Sequence, residues 1–274
     1  MEYEIKPVSK FSINAKEIWS YKELFYYFTW RDIKVKYKQT VLGMAWAILQ
    51  PTVMMLVFTF LFGKLIQADE KSTLPYAVYV YSGLMLWGIF SNGIQTAGNS
   101  MVTNANIIRK IYFPRLIIPL SSILVALFDF IMTLIPFVLL LFYYKVEIDA
   151  VRLVTLLPLS LFIILLTTIG TGCFLSALNV KYRDFRFVIP FLVQFSLYTS
   201  PIIYKLDSIS NTTIKFILSI NPISVAIDIY RSAFDPTAIV DYTLVCIGAG
   251  IAFILFAIGI YYFRKTESYF ADLA

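Results

Sequence analysis

The sequence contains no histidine. Imidazole general-base catalysis, a histidine-ligated zinc and a histidine proton relay are therefore excluded together. Cysteine is almost as scarce. Cys173 and Cys246 both fall inside apolar runs, where they read as small packing residues rather than as a disulfide or metal ligands. Charge is thin: 15% of residues are charged and 59% are apolar, with a mean hydropathy of +0.76, against about 25% charged and 45–50% apolar in a soluble domain. No G-x-x-x-x-G-K-[ST] phosphate loop is present, since Gly63-Lys64 is followed by Leu65 and lacks the upstream glycine. ATP is not held by this chain in that way. No nucleophile with its base, no metal cluster and no paired carboxylates appear, so no enzyme is read from it. The first forty residues hold no short apolar stretch with a small-residue cleavage site, and targeting is expected from the first spanning helix.

What the sequence does have is long apolar runs of the roughly 20 residues that cross a hydrocarbon core as a helix. Six spans are expected, at 40–62, 74–94, 116–143, 153–178, 187–204 and 242–263. They divide the chain into an N-terminal segment, 1–39, a six-span domain, 40–263, and a short tail, 264–274. Prolines 119, 136, 158, 190 and 201 lie in or near the spans, which kinks membrane helices without forbidding them.

The net charge of +6 is not spread as in a nucleic-acid binder. Sixteen of the 23 Lys and Arg residues fall before span one, between spans two and three, between four and five, and after six. Acids such as Asp69, Glu70, Glu147, Asp149 and Asp207 occupy the alternate loops. Both termini are therefore expected in the cytoplasm. Ahead of span one, helical spacing puts Tyr26, Trp30, Ile33 and Tyr37 on one stripe and Arg31, Lys34 and Lys38 on another face. An amphipathic helix lying along the inner leaflet is expected there, against anionic lipid. After Tyr204 the outer loop is too apolar for a solvated linker. Two short re-entrant helices broken at Asn221-Pro222 are expected, buried against protein or a cavity. The fold class is thus all-α membrane: six transmembrane helices, an N-terminal interface helix, and re-entrant helices between spans five and six.

One acid, Asp129, stands within a span, where a charge costs about 2.5–3.5 kcal/mol on insertion scales. A proton-coupled carrier would show a second membrane acid or a partner histidine, so Asp129 reads as a hydrogen-bonding residue between helices.

The run Arg31-Asp32-Ile33-Lys34-Val35-Lys36-Tyr37-Lys38-Gln39-Thr40-Val41-Leu42-Gly43-Met44-Ala45-Trp46, continuing to Gln50-Pro51, closely resembles the start of the first span in permeases of bacterial polysaccharide ABC exporters, the O-antigen, teichoic-acid and capsule group. Leu178-Asn179-Val180-Lys181-Tyr182-Arg183-Asp184 is a second similarity. Phe113-Pro114-Arg115, Ser200-Pro201 and Asn221-Pro222 are weaker ones. The O-antigen permeases are the nearest group, and the similarity covers nearly the whole chain. It implies a homodimer worked by two separate ATPase subunits, with a lipid-linked polysaccharide as cargo. It also implies no cofactor in this chain, ATP and Mg being held by the partner ATPase, and residence in the bacterial inner membrane.

The resemblance further implies a coupling helix in the stretch from Gly98 to Arg115. Tyr26, Trp30, Arg31, Asn106, Arg109 and Lys110 are expected to couple to the ATPase. Arg183 and Asp184 are expected to hold an inner gate as a local ion pair, and Asn221 and Pro222 an outer one. A sugar polymer presents apolar C–H faces, so aromatic walls tolerate many registers. Phe187, Phe191, Phe195 and Tyr198 fall on one helical stripe; with Tyr204, Trp46 and Phe58 they are the expected conduit lining. Interhelical packing or lipid contact would explain the same spacing.

Overall fold

A computed structural model describes residues 19–38, 40–64, 74–206, 209–235, 237–267 and 270. The expectations on residues 1–18, on Asp69, Glu70 and Asp207, and on most of the C-terminal tail lie outside these. The described residues form α1 Lys22–Lys38, α2 Ala45–Phe58 running on as a π-turn Thr59–Lys64, α3 Tyr76–Thr103, α4 Ala105–Ile108, α5 Ile117–Tyr144, α6 Ala150–Lys181, α7 Phe185–Thr199, α8 Thr212–Ser219, α9 Pro222–Arg231 and α10 Tyr242–Thr266. The molecule is an all-α membrane protein. Five helices are long and apolar enough to cross a membrane, and α8 and α9 form a pair bent by 83°.

The five long helices match five of the expected spans, but α3 runs on to Thr103 rather than stopping near Ile94. Its polar end bonds back along the helix: Thr96 Oγ1 to the Asn92 carbonyl (2.7 Å), Asn99 Nδ2 to Gln95 (2.8 Å) and Thr103 Oγ1 to Asn99 (3.0 Å). These polar side chains thus find acceptors on the preceding turn of their own helix. The expected helix between Gly98 and Arg115 shrinks accordingly to α4, one turn long.

The fifth expected span, 187–204, is a 15-residue helix, α7. Its helix stops at Thr199, because Ser200 before Pro201 is pushed into extended backbone (ψ 140°). It nonetheless covers the depth of a span along α3. A side chain at Gly98 would meet Ile189, and one at Gly83 would meet Ile202; that interval is about 22 Å of helix rise. One turn further on, the Tyr79 hydroxyl donates to the Tyr204 carbonyl (2.8 Å).

α3 is the central helix, 83% of its most apolar window being buried, whereas α2 is 6% buried. Small residues let helices close on one another where bilayer lipid offers no hydrophobic drive. A Cβ on Gly259 of α10 would land 1.9 Å from the Gly170 carbonyl of α6, so these backbones touch. Cys173 is buried beside this crossing's core, while Cys246 is exposed on α10, contrary to a packing role for both.

Loop chemistry starts the helices at one end of the bundle. Asp149, Asn211 and Asp241 each accept hydrogen bonds from backbone N–H groups of the turn they cap. The opposite end gathers the basic loops, with α1 and the C-terminus; here it is named the basic end, and the capped one the far end.

α1 packs against α5. Phe28 packs on Phe113 (ring centroids 5.7 Å) and Tyr37 on Phe128 (6.3 Å), so α1 leans along the first 12 residues of α5, about 18 Å of rise. Its buried face is Phe28, Ile33 and Tyr37. Tyr26 and Trp30 leave the expected stripe and stack on each other (6.5 Å, 8°) on the exposed side. The buried face is thus the one that meets a bundle neighbour. Gly43, at φ +52°, makes the turn between α1 and α2, a backbone region that costs a side-chain-bearing residue roughly 1–2 kcal/mol.

Candidate functional site

At the basic end, Phe28, Phe113, Leu116, Phe263 and Phe270 form one apolar cluster. It joins α1, the α4–α5 loop, the end of α10 and Phe270. Polar ties reinforce it. Arg31 Nη2 donates to Asn104 Oδ1 (2.7 Å) and, with Nε, to Asp32. The Asn104 amide in turn donates to the Ser100 carbonyl (2.8 Å). Arg115 donates to the Glu267 carbonyl and Arg264 pairs with Glu267 (3.0 Å). Asn179 donates to the Gly98 carbonyl (2.8 Å) and to Asn99 (3.1 Å), locking the end of α6 to α3. The two segments expected to act as separate levers are therefore one body. From it Asn106, Arg109 and Lys110 project into solvent. Residues of the loop, among them Arg109, Lys110 and Arg115, line a cup of about 440 Å³.

Arg183 and Asp184 are both exposed in the turn between α6 and α7. Among the described residues no ion pair joins them.

Two residues that periodicity passes over stand out. Asp129 is not left unpaired. Its carboxylate accepts from Lys36 Nζ (2.5 Å), from the Tyr37 hydroxyl and from Asn92 Nδ2 (3.5 Å). Burial, followed by this carboxylate, pushes the Tyr37 pKa far above that of a free phenol, so Tyr37 remains a donor. Beside the cluster lies a cavity of about 310 Å³ lined by Trp46, Gln50, Trp87, Asn92 and Gln95 among others. The only advance signal was the charge itself, an acid inside a greasy helix.

The other is Arg231, 5% exposed, at the end of α9. Its guanidinium donates to the carbonyls of Pro201 (2.6 Å), Tyr79 (2.8 Å) and Ile202 (3.2 Å), and stacks over the Tyr79 ring at 3.5 Å. Gly83 leaves the room it needs. Arg152 likewise donates to the carbonyls of Ala238 (3.1 Å) and Ser232 (3.2 Å). These two far-end cations serve carbonyls rather than headgroups. The same end holds a cavity of about 650 Å³ lined by Lys205, Lys215, Asp228, Arg231, Asp235 and Asp241 among others.

α9 lies inside the bundle. Ser160 Oγ of α6 donates to its Ala226 carbonyl (2.9 Å), Tyr230 meets Phe137 of α5 (5.9 Å), and Val225 fills the space above Gly248 of α10. Asn221 and Pro222 have a local role: Asn221 Oδ1 accepts from Ile223 N (3.1 Å), and Pro222 occupies the first turn, a combination that starts a helix.

Of the expected conduit residues, Phe187, Phe191, Phe195 and Tyr198 are all exposed along one face of α7, from 58 to 78%. Among the described residues nothing covers this stripe. Trp46 is 50% exposed and borders the cavity beside Asp129. Phe58 is elsewhere, packed edge-on against Phe62 (6.2 Å). Tyr204 turns its hydroxyl back to the Tyr198 carbonyl (3.1 Å).

An all-α membrane bundle with an unusually long matched stretch of similarity accompanies this geometry. The chain is 28% identical over 252 residues to an O-antigen export system permease protein RfbA of Klebsiella pneumoniae, covering 92% of this chain and 95% of that protein. It is 24% identical over 259 residues to a protein of the same name from Myxococcus xanthus, covering 94% and 98%. Against the polysialic acid transport protein KpsM of Escherichia coli the identity is 22% over 234 residues, covering 81% and 88%. The family model for ABC-2 type transporters matches residues 23–234, from the basic-end helix α1 through the buried α9, and the chain belongs to that family.

Proposed function

We propose that this chain is the membrane-spanning subunit of an ATP-driven exporter that moves a lipid-linked O-antigen polysaccharide across a bacterial inner membrane. The carrying observation is the similarity to O-antigen export permeases over more than nine-tenths of this chain, 92% and 94%. Two copies form the pathway, each worked by a separate nucleotide-binding subunit that holds ATP and Mg. Both termini and the basic end face the cytoplasm, in accord with the bias of Lys and Arg. There Asn106, Arg109 and Lys110, with Tyr26, Trp30 and Arg31 of α1, offer the ATPase an exposed edge of a rigid body. Arg183 and Asp184 border it, on the surface where an inner gate would close. The uncovered stripe of α7, with Trp46, lines the conduit. The α8–α9 pair, turned at Asn221-Pro222, closes the outer exit.

Pairing of Asp129 with Lys36 supports nucleotide drive over an ion-coupled carrier, because the acid already has its cation. The test is replacement of the chromosomal gene: cells lacking it lose the long-chain O-antigen ladder at the surface, and the plasmid-borne gene restores it. The similarity to a polysialic acid transport protein favours one second reading, a capsule exporter with the same architecture. Loss of capsule with the O-antigen ladder intact would decide for it.

A further inference from the structure

Asp129 is the one carboxylate within the five long helices, and its donors come from two directions, Lys36 and Tyr37 of α1 and Asn92 of α3. An ionised carboxylate in apolar surroundings needs such donors at all times. α1 can leave it only where replacements stand ready. They do: Gln50 and Gln95 line the adjoining cavity beside Asn92, which stays in place, and Lys36, with 36% of its side chain exposed, sits at the rim. At the other end of the same two turns, Arg31 is tied to Asn104, at the hinge between α3 and the exposed α4 loop. A push on that loop reaches Lys36 through the rigid helix between.

We propose that Asp129 is a positioning residue that locks α1 to the membrane core through Lys36 and Tyr37, and that this lock opens and re-forms in each transport cycle. Opening passes the displacement of the α4 loop to α1 and exposes the cavity beside Trp46. The inference rests on the reading that a separate ATPase drives the chain. Its test follows the position of a helix rather than the cargo.

Ile33 of α1 and Val125 of α5 share one buried cluster. With Cys173→Ala and Cys246→Ser as background, Ile33→Cys and Val125→Cys are bridged in the assembled transporter by a short bifunctional thiosulfonate reagent. Bridging is expected to stop export, and reduction to restore it; export that continues at full bridging overturns the lock. Bridging efficiency is expected to fall when a non-hydrolysable ATP analogue is added, and a constant efficiency with the ATPase still bound overturns it too. Absence of any bound ATPase would instead defeat the reading beneath it. Asp129→Asn is expected to lower export about tenfold, within the span of ordinary coupling energies. Asp129→Glu retains most of it, and Lys36→Asp combined with Asp129→Lys recovers part of what either single change loses. Should Asp129→Asn fail to fold, Lys36→Gln at the cavity rim carries the same expectation. Wild-type export by whichever of the two folds refutes the proposal.

Discussion

At Arg231 a single side chain holds three elements, and the physical stakes of its burial are high. Leaving a buried acceptor without its donor costs about 1–3 kcal/mol, and here several carbonyls would be left together. Arg231→Ala should therefore lower the midpoint of heat-induced aggregation in detergent sharply, with Arg231→Lys intermediate, since an ammonium cannot reach Pro201, Tyr79 and Ile202 from one plane. An unchanged midpoint would show that water replaces the guanidinium. Gly259 makes the contrasting case, where the missing side chain is what matters. Gly259→Ala drives a methyl into the Gly170 carbonyl. Separating α6 from α10 by that much costs about 1–3 kcal/mol, read as a loss of folded, monodisperse protein. Neither residue was legible beforehand. Arg231 counted only as a cation of an outer loop, and Gly259 as one small residue among many, because each acquires its meaning from a partner far along the chain.

Among the elements, α7 differs from its neighbours in leaving a whole aromatic face uncovered. Truncating Phe191 and Phe195 together should leave the core intact, as both side chains are largely exposed, 65 and 58%. Export of the long polymer is expected to fall severalfold with protein level and ATPase binding unchanged. Normal export would show that the stripe meets lipid instead of cargo. The stripe itself was readable from helical spacing, since i, i+4 positions share a face by geometry alone. Phe58 shows the limit of that reasoning. It has the same chemistry and a similar place in its helix, yet it is spent on Phe62. α1 shows it again: its length was legible, but its buried face is Phe28, Ile33 and Tyr37 because α5 stands beside it. The start of α9 was legible from Asn221-Pro222, whose N-cap and first-turn preferences are local.

For the whole molecule the consequence of the basic-end body is that force applied anywhere on it is shared. Asn106→Ala, Arg109→Ala and Lys110→Ala together remove exposed groups only, so the folded yield should persist. Co-purification of the ATPase, or its stimulation by the permease, should fall severalfold; full retention would move the docking surface elsewhere, to the turn at Arg183 and Asp184.

By itself the sequence determined what depends on composition and neighbours along the chain. These are the membrane class, the approximate spans, the sidedness bias of its cations, the cap residues and the kinship carried by its motifs. Hydropathy, helical period and capping act within a few residues, so they can be read locally. The tertiary structure decided the rest. Lys36 finds Asp129 across 93 positions and Arg231 finds Tyr79 across 152. It also settled the lean of α1, the insertion of α9 and the free face of α7. Such pairings arise because buried polar groups must be satisfied by whatever the fold brings near, and no local pattern states what that will be.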